Sequence, residues 1–143
     1  VTGYKTEWSG EVEIAEGATF EIEKGNWIAE ATDVTKLLGT DDLIKNQNKF
    51  ATVKGLTVAG KGDEGAAFFY GWDGSGEDGS DLYFDLTDGE NTFTFVVETD
   101  LMDAESEVYA AVKALNVGDT VDVEGFLYWY EGVQMHTTSV TVE

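Results

Sequence analysis

The chain contains no cysteine and no arginine, and His136 is its only histidine. Each absence removes a class of chemistry. Without cysteine there is no disulfide framework, no thiol redox couple and no thiolate metal site. One histidine leaves multi-histidine metal sites out, and a lone histidine on a strand reads as structural rather than catalytic. No Walker-type phosphate loop and no dinucleotide fingerprint is present. Carboxylates are so abundant that no particular pair singles itself out as an acid–base couple. The expectation is therefore a chain that is not an enzyme and needs no cofactor.

Positive charge is scarce. Eight lysines face 29 acidic residues, giving a formal net charge of -21. Nucleic-acid binding draws on Lys and Arg to neutralise phosphates, and the guanidinium fork that grips phosphate is missing. The lysines are also scattered, so nucleic acid is set aside as a partner. Long apolar runs are lacking too, and none approaches the roughly 20 residues of a membrane span. No leader pattern is read at the start, so the chain is taken as a mature form or a domain of a larger protein. The charge keeps a surface well solvated. Acidic composition without cysteine suits a secreted or cell-surface bacterial protein.

What the chain has is alternation. Its 143 residues are enough for one core without disulfide or metal. Val121, Val123, Gly125 and Leu127 alternate with Thr120, Asp122, Glu124, Phe126 and Tyr128. After the turn Tyr130-Glu131-Gly132, Val133 and Met135 rejoin the apolar face while Gln134 and His136 point the other way. That is a hairpin with one core face and one aromatic-polar face. A second hairpin is read over 81–97 around Asp88-Gly89, and a long strand over 50–58 with Gly55 as its bend. A first hairpin is expected to pair 8–14 with 20–23, with Trp27 and Ile28 packing behind it. Short helices are expected over 32–44. One helix is expected over 103–115, with Val108, Ala111, Val112 and Leu115 inward. Parity places Phe84, Phe93, Phe95 and Trp129 inward as well. Trp8 has no place in this pattern.

The order from residue 50 is strand, strand, strand, helix, strand, strand. It resembles the OB-fold, a five-stranded Greek-key barrel with its helix between the third and fourth strands. Segments 48–58, 81–97 and 115–143 are similar to the small OB domains appended to secreted bacterial nucleases and lipoproteins. The expected fold is all-β with one or two short helices: an OB-like barrel over 49–143, with residues 1–48 as a β-hairpin and helical connection packed on it. The resemblance implies a ligand surface across the second and third strands and the first-to-second and fourth-to-fifth loops. By position that surface takes Tyr70 and Trp72, Tyr83 and Thr94, Tyr128 and Tyr130, with Gln134, His136 and Asp85 as hydrogen-bonding partners. Rings beside amides and carboxylates suit sugars, so an oligo- or polysaccharide is the expected ligand of a non-catalytic module. The alternatives are a single-stranded nucleic-acid module of a nuclease and a structural or protein-interaction domain within a larger protein. Phe68, Phe69 and Trp72 have a plainer reading as plugs for the barrel's open end. The acidic, glycine-rich loop 73–81 offers Asp73, Glu77, Asp78 and Asp81 as possible calcium ligands, or is simply a solvated loop.

Overall fold

Alternation in the later strands dictates the architecture. A computed structural model describes residues 1–143. In chain order the strands are β1 (Lys5–Trp8), β2 (Glu11–Ile14), β3 (Thr32–Asp33), β4 (Phe50–Ala59), β5 (Phe69–Tyr70), β6 (Leu82–Thr87) and β7 (Thr92–Val97). Helices α1 (Thr99–Met102) and α2 (Glu107–Lys113) follow, then β8 (Thr120–Trp129) and β9 (Val133–Val142). Leu82, Phe84 and Leu86 of β6 point inward and are buried, as are Val121, Val123 and Leu127 of β8. Each strand therefore has one face to hide. Closing the sheet on itself hides five such faces at once and leaves no open edge.

The closure runs β4–β6–β7–β9–β8 and back to β4. Within that closure only the β7–β9 pair is parallel. A parallel pair needs a crossover, and the chain supplies it by running through α1, α2 and β8 before β9 arrives beside β7. First strand to second, third, fifth, fourth and first again, with helix after the third, is the OB-fold order. The barrel is an OB-fold. The expected bend in β4 is real: Gly55 has φ 65°, and the pairing with β8 shifts register between Val53 and Leu56. Past the bend, Thr57 to Ala59 pair with β6, so one strand closes both sides of the barrel.

Three local expectations are corrected. The first hairpin turns inside the run 8–14, at Ser9-Gly10, and joins β1 to β2. Both turn residues have positive φ (49° and 92°), as a two-residue type I′ turn requires. Residues 20–31 form no strand, and Phe20, Ile22, Trp27 and Ile28 are exposed rather than packed. The helix expected over 103–115 forms as the shorter α2, and α1 precedes it where no helix is expected. Asp103 takes φ 57° and its carboxylate accepts from the Glu105 backbone N–H at 2.8 Å, which ends α1. Ser106 starts α2 by capping the Tyr109 N–H. Val108, Val112 and Leu115 are buried as their spacing implied. The short helices expected over 32–44 are single 3₁₀ turns at Thr35–Leu37 and Leu43–Asn46. Val34, Leu38 and Leu43 from this region join the barrel's core.

Candidate functional site

The outer faces of the strands build a groove of about 550 Å³. Tyr83 of β6, Thr94 of β7, Tyr128 of β8 and Gln134 of β9 form its floor, each alternating with a core residue. Lys61 and Trp72 reach in from the long β4–β6 connection, Tyr130 from the β8–β9 turn, and Glu98 from the end of β7. The remaining wall is Trp8, delivered by the N-terminal hairpin. Its ring lies 5.1 Å from that of Tyr130 at an interplanar angle of 44°.

That hairpin is fastened to the β8–β9 end by directed bonds. The Glu11 carboxylate, almost wholly buried, accepts from the Trp129 backbone N–H at 2.7 Å. The Ser9 carbonyl accepts from the Glu131 N–H at 2.7 Å. Gln47 and Asn48 donate to the Gly10 and Val12 carbonyls at 2.7 and 2.8 Å. Gly10 lies against the Trp129 ring, where a Cβ would come to 2.9 Å. Buried polar groups paired in this way fix orientation, because breaking any one strands its partner.

The loop carrying Trp72 is held equally firmly. The Tyr109 hydroxyl donates to the Ser80 carbonyl at 2.9 Å and accepts from the Gly79 N–H at 2.8 Å. Asp81 accepts from the Thr99 N–H and hydroxyl, both at 2.8 Å. Phe68 packs against the core, and the Phe69 ring lies beside Gly62 and Gly74. Trp72 packs against neither; three quarters of its surface is exposed. The four carboxylates considered for calcium do not converge. Asp73 accepts from Ser75, Asp78 pairs with Lys113 at 2.7 Å, and Asp81 is turned to Thr99. Glu77 joins no group of three or more acidic or histidine side chains placed to hold a metal.

Of the ligand residues expected from sequence, Trp72, Tyr83, Tyr128, Tyr130 and Gln134 meet in the groove. Asp85 lies under it, holding the Lys61 ammonium at 2.9 and 3.0 Å and the Thr94 hydroxyl at 2.8 Å. His136 is stacked beneath Tyr128, ring centroids 4.1 Å apart. Tyr70 is not part of the site; its ring meets Phe68 edge-on at 5.3 Å and lies below the Lys113 ammonium. Three groove residues escaped the sequence reading. Trp8 is an aromatic with no parity to place it. Lys61 and Glu98 sit among glycines and at a strand end, where nothing in the pattern marks them.

Burial sets the electrostatics. It pushes the Glu98 carboxyl above the ordinary carboxylate range, and the nearby Asp81 and Asp100 push the same way. It pushes His136 below the ordinary imidazole value, outweighing the attraction of Asp81. A histidine whose folded pKa is depressed binds protons better when unfolded. Its stabilising contribution is present above about pH 6.5 and is lost as pH falls toward the folded value. Glu98 works oppositely, favouring the fold at low pH. Replacing His136 with Phe removes the first effect alone. The melting temperature of the natural chain minus that of His136→Phe is expected to shrink between about pH 7.5 and 5.5. A difference independent of pH would contradict this placement.

No family model and no curated protein matches the chain. Among solved structures, asparaginyl-tRNA synthetase from Pyrococcus horikoshii is similar to it. The crystal structure complexed with asparaginyl-adenylate matches with a TM-score of 0.45 and 14% identity, covering 68% of this chain and 20% of that one. A second structure of that enzyme matches at 0.47 and 13%, covering 80% of this chain and 23% of that one. The chain spans about a fifth of the length of these structures. The expectation that sets nucleic acid aside is corrected by the makeup of the groove itself. The physical reason is that net charge describes the whole surface, whereas the groove has its own makeup. It is walled by five aromatic rings and one lysine, and ring stacking requires no excess of positive charge.

Proposed function

We propose that the chain is a non-catalytic OB module that binds single-stranded nucleic acid by stacking bases in the aromatic groove. The observation that carries this is the convergence of Trp8, Trp72, Tyr83, Tyr128 and Tyr130 on the face where OB-folds take their ligands. Stacking on protein aromatics is sequence-tolerant because every base has a π-face. A groove of this volume lies within the ordinary range for small ligands, so it accommodates a base or two rather than a long strand. Lys61 spends its charge on Asp85, and Glu98 adds a negative one. Phosphates therefore face outward, and affinity comes from the rings.

Trp72→Ala is expected to weaken binding of a short single-stranded oligonucleotide by about 1–3 kcal/mol, as is Tyr128→Ala. Titration of tryptophan fluorescence measures both; Trp8 remains as reporter in the first variant. Trp72 is exposed, so its loss should leave the melting temperature unchanged. Unaltered affinity in both variants would sink the site assignment. One observation favours a second reading, a protein-interaction domain: Phe20, Ile22, Trp27 and Ile28 are exposed along one irregular stretch. We place the module in a secreted or surface protein on composition alone.

A further inference from the structure

Resting on the base-stacking reading, we propose that Glu98 is the specificity determinant of the groove and selects guanine. The three carboxylates around the groove are not equivalent. Asp85 is saturated by Lys61 and the Thr94 hydroxyl. Asp81 is saturated by the Thr99 N–H and hydroxyl. Glu98 lines the groove, its side chain two thirds buried, and its carboxylate accepts no hydrogen bond within the protein. Its nearest polar neighbour is His136 Nε2 at 3.5 Å, and that buried atom itself makes no hydrogen bond.

A carboxylate has two oxygens and about four lone-pair sites, all acceptors. Partly buried beside other acids, it needs donors, and the groove's single lysine is already engaged. An incoming base supplies donors aimed at it from within the groove. Guanine carries two N–H donors side by side on its pairing edge, at N1 and the exocyclic N2, spaced to meet both oxygens of one carboxylate. Cytosine and adenine offer one amino group each. Thymine offers a single N–H between two carbonyls, which a carboxylate repels. Gln134 lies in the same groove and has an amide donor for the guanine O6. Rings that accept any base thus sit beside an acceptor that distinguishes among them.

The test is titration of the intact chain with a thymidine pentanucleotide and with three variants carrying guanine, cytosine or adenine at the centre. The guanine-centred strand is expected to bind about tenfold more tightly than all-thymidine, with cytosine and adenine between. In Glu98→Gln and Glu98→Ala the ratio of guanine to thymine affinity is expected to fall toward one. Melting curves check that each variant is folded. Equal binding of all four strands by the natural chain would overturn the role of Glu98 and leave base stacking standing. So would a guanine preference that survives both variants. Failure of every strand to bind would overturn the base-binding reading itself.

Discussion

Phe84→Ala is expected to cost about 3–5 kcal/mol of folding stability, the largest loss from truncating any one side chain in this barrel. Phe84 is fully buried in β6, directly opposite Phe95 of β7, with ring centroids 5.6 Å apart and an interplanar angle of 30°. Removing the ring forfeits its transfer free energy. It also opens a cavity between two strands whose spacing is fixed by their backbone ladder, so the walls cannot collapse to fill it. Urea unfolding followed by tryptophan fluorescence reads the change as a shift in midpoint. A loss below about 1 kcal/mol would mean that the barrel interior is looser than these contacts describe.

Gly125→Val is expected to be nearly as damaging for the opposite reason. Gly125 sits where β8 and β9 change register. Its φ is unremarkable, so no strain follows from conformation. The obstacle is space: a Cβ here would lie 2.2 Å from the His136 carbonyl oxygen and 2.9 Å from its carbon. Both are backbone atoms, so relief requires the two strands to part. Overpacking of this kind costs about 3 kcal/mol or more when nothing flexible can yield. The displacement would also reach the site, because His136 supports Tyr128 from beneath. Gly132→Ala, in the adjoining turn with open space around it, serves as the control and should fall within about 0.5 kcal/mol of the natural chain. A Gly125→Val midpoint equal to that of the control would refute the close approach.

The barrel was legible because its strands alternate so regularly. Tyr83, Tyr128 and Gln134 were assigned outward by the same parity that sent Phe84 and Leu127 inward, and all five lie where parity put them. Parity failed where structure depends on backbone conformation instead. Ser9-Gly10 reverses the chain in the middle of an alternating run because both residues reach positive φ, and nothing in the alternation marks that. Asp103 ends α1, a short helix that no apolar spacing marks, before the α2 that Val108, Val112 and Leu115 do mark. The site was half legible for a related reason. Trp8 and Lys61 reach the groove from segments far away in sequence, through hydrogen bonds such as that of Glu11 with the Trp129 N–H. Glu98 is marked only by a carboxylate that accepts no hydrogen bond, and a sequence carries no sign of that. Net charge misled in the other direction: a total of -21 says nothing about a groove whose polar demands are local.

The most direct measurement is a tryptophan-fluorescence titration of the natural chain with a short single-stranded oligonucleotide, repeated at about 50 and 200 mM salt and with the same sequence as a duplex. Saturable quenching by the single strand is expected. Its affinity should hold or rise with salt, because rings bind the bases while the acidic surface repels the phosphates. The duplex, whose bases are already stacked and paired, should not compete. No quenching by the single strand would contradict base binding in the groove. A steep loss of affinity with salt would place binding on lysines and phosphates elsewhere on the surface.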